Sequence, residues 1–330
     1  MKTTMTIDEY LKNCRHLLPI SSFNQEFYTN ILHSLEKPVK IFDKDIVLIG
    51  ICTPECRNMM VTLDKCYIIV DFSLMEYIIE LNYISTYNDW ERYEYLYYTS
   101  AQETELNNGD IDKMFFYISL ADEMFSKEKE ELIDNSRNVL KVLISQYFMI
   151  YHEFFHYQEK QYPHSENYYN LLVEYIKESK STSSSADIAS EVICDTEALI
   201  QILHTGIGLE QGFISKNEIF EVSLEALIYL SIVRLLSKCL EDAKSITERI
   251  YATFGWINIY LRENETFQDI DFEEIVERAR KKVFDFFEHT LFIAKNEKRK
   301  KVLIPNLSDV EKMDMIYRLS QKKKGTILRT

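Results

Sequence analysis

From Ser136 to Tyr151 the chain reads SRNVLKVLISQYFMIY, and the next five residues are His152-Glu153-Phe154-Phe155-His156. Val139, Leu140, Val142, Leu143, Ile144, Tyr147, Phe148, Ile150 and Tyr151 leave almost no polar side at a 3.6-residue period. The spacing therefore predicts a helix buried on nearly every face. Asp134, Asn135 and Ser136 can cap free backbone N–H groups, which places the helix start near residue 136. Such a helix dictates much of its surroundings, because other elements must cover it on several sides. It also cannot carry His152, Glu153 and His156 inward without partners for them.

HEFFH is an HExxH pattern, and chance supplies about one of these per hundred chains with this composition. Residues i and i+4 stack on one face of a helix, so the imidazoles of His152 and His156 can point at one metal ion. Glu153 sits beside them, within reach of a water at that ion. The plainer reading is two histidines on an amphipathic helix with a salt-bridging glutamate. A hydrolytic zinc usually has three protein ligands. The form HExxHxxGxxH fails here: Glu159 stands at the glycine position, Tyr162 at the third histidine, and His164 comes two residues late, beyond Pro163. Glu191-Val-Ile-Cys-Asp195 is the alternative, with two carboxylates one helical turn apart. Glu191 can bind the metal while Asp195 accepts the spare N–H of a ligand histidine, fixing its tautomer. Asp195 or Glu197 could replace Glu191 as the third ligand, and an exposed acidic stripe is the plain reading of Glu191 and Asp195. Ile188, Ala189, Val192, Ile193, Cys194, Ala198, Leu199 and Ile200 speak against exposure, because carboxylates in so apolar a segment need partners.

HEFFH followed by a helix reading E-V-I-C-D-T-E-A resembles the gluzincin type of zinc metallopeptidase. Within that type, E-x-x-[small]-D-x-x-A resembles the bacterial ImmA/IrrE-like and the Lit-type phage-exclusion peptidases. The likeness spans roughly residues 136–205, with Phe155 where those families carry a small residue and 35 positions from His156 to Glu191. It implies Zn2+ held by His152, His156 and Glu191, Glu153 as general base, and peptide-bond hydrolysis in an intracellular protein. It also implies a small sheet ahead of the motif helix whose edge strand pairs with extended substrate, a role that Tyr67–Val70 would fill here, with a plain core strand as the alternative. Family members stabilise the oxyanion with a Tyr or His. His164, His204 and His289 are spare, and none is singled out.

Only 7 Gly and 5 Pro interrupt 330 residues, so long helices dominate the reading. We expect a mainly α (α+β) fold: a helical metallopeptidase core, one small N-terminal β-sheet and a C-terminal helical region. Residues 1–36 read as N-terminal helices, 37–210 as the catalytic core, and 211–330 as the C-terminal region. Strands are expected at Val39–Phe42, Ile46–Ile49, Met59–Leu63 and Tyr67–Val70, with a hairpin at Asp64-Lys65. Helices are expected at 73–86, 112–131, 166–178, Ser185 or Asp187 to Gly206, 216–239, 242–262, 271–295 and 307–321. The tyrosine-rich stretch 88–112 reads as a helix end plus loop.

A formal charge of −15 repels phosphate and argues against general nucleic-acid binding. Residues 291–330 reverse the sign, with eleven Lys/Arg against four Asp/Glu, and read as a solvated face and tail or a dock for an acidic partner. Cys14, Cys52, Cys56, Cys66, Cys194 and Cys239 are scattered, and the chain lacks an apolar leader or an 18-residue apolar run. We therefore expect reduced thiols, a cytoplasmic location and no membrane span. The expected partner is a protein or peptide substrate. Two other readings stay open: a metal-binding but catalytically inactive interaction module of a stress or phage-defence system, and a helical scaffold without metal.

Overall fold

The computed structural model describes residues 6–13, 46–51, 59–63, 65–108, 110–124, 136–161, 185–205, 215–238 and 243–297, with 33, 170, 173 and 174 besides. The expected strand 39–42, the helices at 166–178 and 307–321, and the basic clusters at 298–301 and 322–324 lie wholly or largely outside these residues. The fold is mainly helical with one small sheet. After the short helix α1 (Ile7–Asn13) come strands β1 (Ile46–Ile51), β2 (Met59–Thr62) and β3 (Cys66–Asp71). Their spatial order is β1-β3-β2, with β1 parallel and β2 antiparallel to β3. The expected hairpin joins β2 to β3, closed by Leu63 N–H donating to Lys65 O at 2.9 Å.

This order corrects one expectation. Tyr67–Val70 belongs to the central strand, paired on both sides, so it cannot take up a peptide as an edge. Every residue of β3 is buried, as expected for a strand covered on both faces. Among the described residues β2 is an edge strand, and it packs against the motif helix.

Helices α2 (Phe72–Tyr87) and α3 (Trp90–Asn108) follow, then α4 (Ile111–Met124). The stretch read as loop is thus almost wholly helical. Only Asn88, at φ 53°, and Asp89 break the path from α2 to α3, and Asp89 Oδ1 caps the new helix by accepting from Arg92 N–H at 3.1 Å. Its tyrosines are core residues: Tyr93 and Tyr98 are fully buried, and Tyr93 shares a 2.7 Å hydrogen bond with Thr290. Tyrosine satisfies its hydroxyl while burying its ring, which a count of polar residues misses.

The motif helix α5 spans Ser136–Gln161, and α6 spans Ser185–Thr205. Then come α7 (Lys216–Lys238), α8 (Ala243–Glu263), a 3-10 turn at Glu265–Phe267 and α9 (Phe272–Glu297). Helix α7 is the hub and packs on α2, α3, α5, α6, α8 and α9. One buried cluster joins Ile68 of the sheet, Phe148 of α5, Leu199 of α6, Ile228 of α7, Phe254 of α8 and Phe286 of α9. Inside it, Glu225 of α7 pairs with Lys141 of α5 at 3.2 Å and with Lys282 of α9, while Lys141 also donates to Asn82 of α2 at 3.3 Å. Helix α5 is thereby anchored about three turns before its histidines. No described helix is long and apolar enough to cross a membrane.

Candidate metal centre

Helix α5 is buried along most of its length: Val142, Ile144, Tyr147, Phe148, Ile150 and Tyr151 all face the core. Helix α6 packs along it, itself sealed by Ile188, Val192, Ile193, Ala198 and Leu199. With both helices fixed, His152 and His156, their rings edge-on at 85°, face the turn of α6 that carries Glu191, Cys194 and Asp195.

The two Nε2 atoms stand 3.0 Å apart. His152 Nε2 lies 3.6 Å from Glu191 Oε2, and His156 Nε2 lies 3.4 Å from Glu191 Oε1. His152, His156 and Glu191 form a group that could bind a metal ion, each offering one atom within 4.8 Å of the others. The His156 and Glu191 side chains keep 22% and 29% of their exposure against 11% for His152, so the group opens to solvent on one side. Of the two fallback ligands, Asp195 sits behind His152 and Glu197 is not part of the group.

Asp195 is fully buried, and its Oδ1 lies 2.9 Å from His152 Nδ1, off the line of a well-directed hydrogen bond. Arg249 of α8 grips the same carboxylate from the other side, donating from Nε and Nη2 to Oδ2 and Oδ1 at 2.7 Å each. Its Nη1 also contacts Glu191 Oε2, and Thr253 Oγ1 lies 3.5 Å from Asp195 Oδ2. Arg249 therefore ties α8 to Glu191 and Asp195 of α6. Cys194, wholly buried, places Sγ 3.4 Å from His156 Nδ1.

The charges oppose burial and win. Burial disfavours the ionised form of Glu191, but Arg249 and then the two histidines hold it well below the usual carboxylate range. Asp195 is likewise held low against burial, by Arg249 and then His152. Burial also works against a charged His152, yet Asp195 and Glu191 together raise it. Glu153 goes the other way: burial pushes it up, and the pull of His152 and His156 does not cancel that. Glu153 thus takes a proton more readily than an ordinary carboxyl, while Glu191 and Asp195 are held ionised.

Two of the spare histidines are elsewhere. His204 meets Tyr260 at 2.6 Å, thirteen residues beyond Glu191 on α6 and so about 20 Å along the helix. His289 stacks on Trp90 at 3.7 Å, between α3 and α9. His164 lies outside the described residues. Comparison with family models, with curated proteins and with solved structures found no match to this chain.

Proposed function

We propose that the chain is a zinc-dependent endopeptidase that hydrolyses peptide bonds of a protein substrate. The observation that carries this reading is the meeting of two Nε2 atoms and one carboxylate, with Glu153 alongside. A tetrahedral ion with ligands at about 2.05 Å has ligand–ligand edges of about 3.3 Å. The measured separations of 3.0, 3.4 and 3.6 Å bracket that value, and two imidazoles with one carboxylate suit zinc. The likeness of HEFFH and E-x-x-x-D to gluzincin peptidases supports the same ion.

His152, His156 and Glu191 would hold the ion, and Asp195 would keep His152 in the tautomer that leaves Nε2 free. Arg249 holds Asp195 and Glu191 in place. A zinc ion held there would polarise the scissile carbonyl and lower the pKa of a bound water. Glu153 takes the proton from the attacking water onto its carboxylate and passes it to the nitrogen of the leaving amine. A carboxyl raised by burial suits this two-way traffic, because its proton affinity lies closer to the working pH. Strand β2 carries the role first expected of Tyr67–Val70: its outer main-chain groups can pair with an extended peptide beside α5.

The test is a peptidase assay on the zinc-loaded chain and on Glu153→Gln. The variant should keep its zinc and lose turnover by at least about a hundredfold, the usual contribution of a general base. Undiminished hydrolysis by Glu153→Gln would remove the mechanism. Zinc uptake without hydrolysis of any peptide by the wild type would favour the inactive binding module instead.

A further inference from the structure

Helix α6 sends two contacts to the far side of the paired imidazoles, from adjacent residues. Asp195 approaches His152 Nδ1, and Cys194 approaches His156 Nδ1 at 3.4 Å. Cys194 is wholly buried in mid-helix, one turn after Glu191, so the α6 backbone aims its sulfur. We propose that Cys194 is the positioning residue of His156: its sulfur accepts the Nδ1–H, so that Nε2 is presented bare toward Glu191. The inference rests on the metal-site reading and adds to it.

A neutral imidazole carries one proton. If Nε2 is to bind a metal, that proton must stay on Nδ1, and on the side facing the wholly buried Cys194 the N–H needs an acceptor. For His152 the group facing Nδ1 is a carboxylate locked by Arg249. For His156 it is sulfur, a weak acceptor but one suited to the 3.4 Å spacing. A third carboxylate here would stand beside Glu191 and Asp195 with Arg249 already shared between them. The two histidines are therefore held unequally, with His156 the softer one. Its greater exposure fits that difference.

The experiment uses the full chain as wild type, Cys194→Ala and Cys194→Ser. Co2+ serves as the optical probe, Zn2+ competition gives affinity, and imidazole N–H signals are read by NMR in the zinc-loaded protein. Cys194→Ala should weaken Zn2+ by about tenfold, the low end of the loss on removing a partner that orients a ligand. It should also lose the slowly exchanging His156 Nδ1–H signal while the His152 signal stays. Cys194→Ser should restore much of both, because its hydroxyl still accepts. Should Cys194→Ala fail to fold, the wild-type spectrum decides, since a missing slow His156 Nδ1–H overturns the inference. Equal affinity and an unchanged His156 signal in Cys194→Ala overturn it too, with the metal site left intact. A wild type that takes up neither Co2+ nor Zn2+ overturns the metal site itself, and this role with it.

Discussion

Arg249→Met is the most revealing perturbation of the site. The substitution keeps most of the volume and removes the α8 charge that reaches both Glu191 and Asp195. Asp195 has 0% exposure and would lose a two-point hydrogen-bonded partner at 2.7 Å. Removing one member of a buried pair costs about 3–5 kcal/mol, because the other charge stays buried without compensation. Glu191 keeps 29% exposure and can turn partly to water, so the expected loss is near the lower end, about 3 kcal/mol. Urea unfolding of wild type and variant in chelator at neutral pH measures it. The pH dependence has a definite sign. Asp195 and Glu191 have folded-state pKa values held below their unfolded values, so their contribution is full above the unfolded range near 4 and is lost as pH falls through the folded values. The gap between wild type and variant should therefore be widest at neutral pH and narrow on acidification below about 5. Added zinc should narrow it at neutral pH as well, by supplying positive charge at Glu191. A metal-free loss under about 1 kcal/mol, or a gap that grows on acidification, would refute the account of how these carboxylates are held.

Glu225→Gln should destabilise the chain by about 3 kcal/mol, since it leaves Lys141 and Lys282 facing a buried amide; both lysines are partly exposed and can swing outward, which limits the loss. Thermal or urea unfolding checks this, and a neutral result would mean that the buried cluster does not anchor α5. Burial opposes the Glu225 charge, but Lys141 and Lys282 hold its carboxyl low, so its stabilisation is present above about pH 4 and disappears as pH falls through the folded value. The unfolding curves of wild type and Glu225→Gln should accordingly converge in acid, and parallel curves down to pH 3 would contradict that assignment.

Much of the site was legible because its spacings are local. The i, i+4 step of His152 and His156 and the i, i+4 step of Glu191 and Asp195 each need only one helix, and both helices announced themselves by apolar sequence. Arg249 was not legible. It lies 54 residues beyond Asp195, and only the packing of α8 on α6 singles it out from 38 Lys and Arg residues. Cys194 was in view inside EVICD but counted only among the scattered reduced thiols and the apolar residues of that segment. Its place three residues after Glu191 and one before Asp195 was the available signal, since that spacing shares their face. The strand order was missed for a different reason. Cys66-Tyr-Ile-Ile-Val70 is a continuous apolar run rather than an alternating one, which marks a strand covered on both faces and hence a central one. Taking Tyr67–Val70 as an edge followed the family likeness over that pattern. The tyrosines of 88–108 misled through their polar hydroxyls, which the fold satisfies internally at Thr290 and Glu94.

X-ray absorption at the zinc edge of the purified, zinc-loaded chain tests the grip of α5 and α6 on one ion most directly. The account predicts one zinc per chain, with two imidazole nitrogens and oxygen neighbours at about 2.0–2.2 Å, and loss of the ion in a His152→Ala, His156→Ala double variant. A sulfur neighbour at about 2.3 Å, or zinc retained unchanged by that double variant, would contradict it.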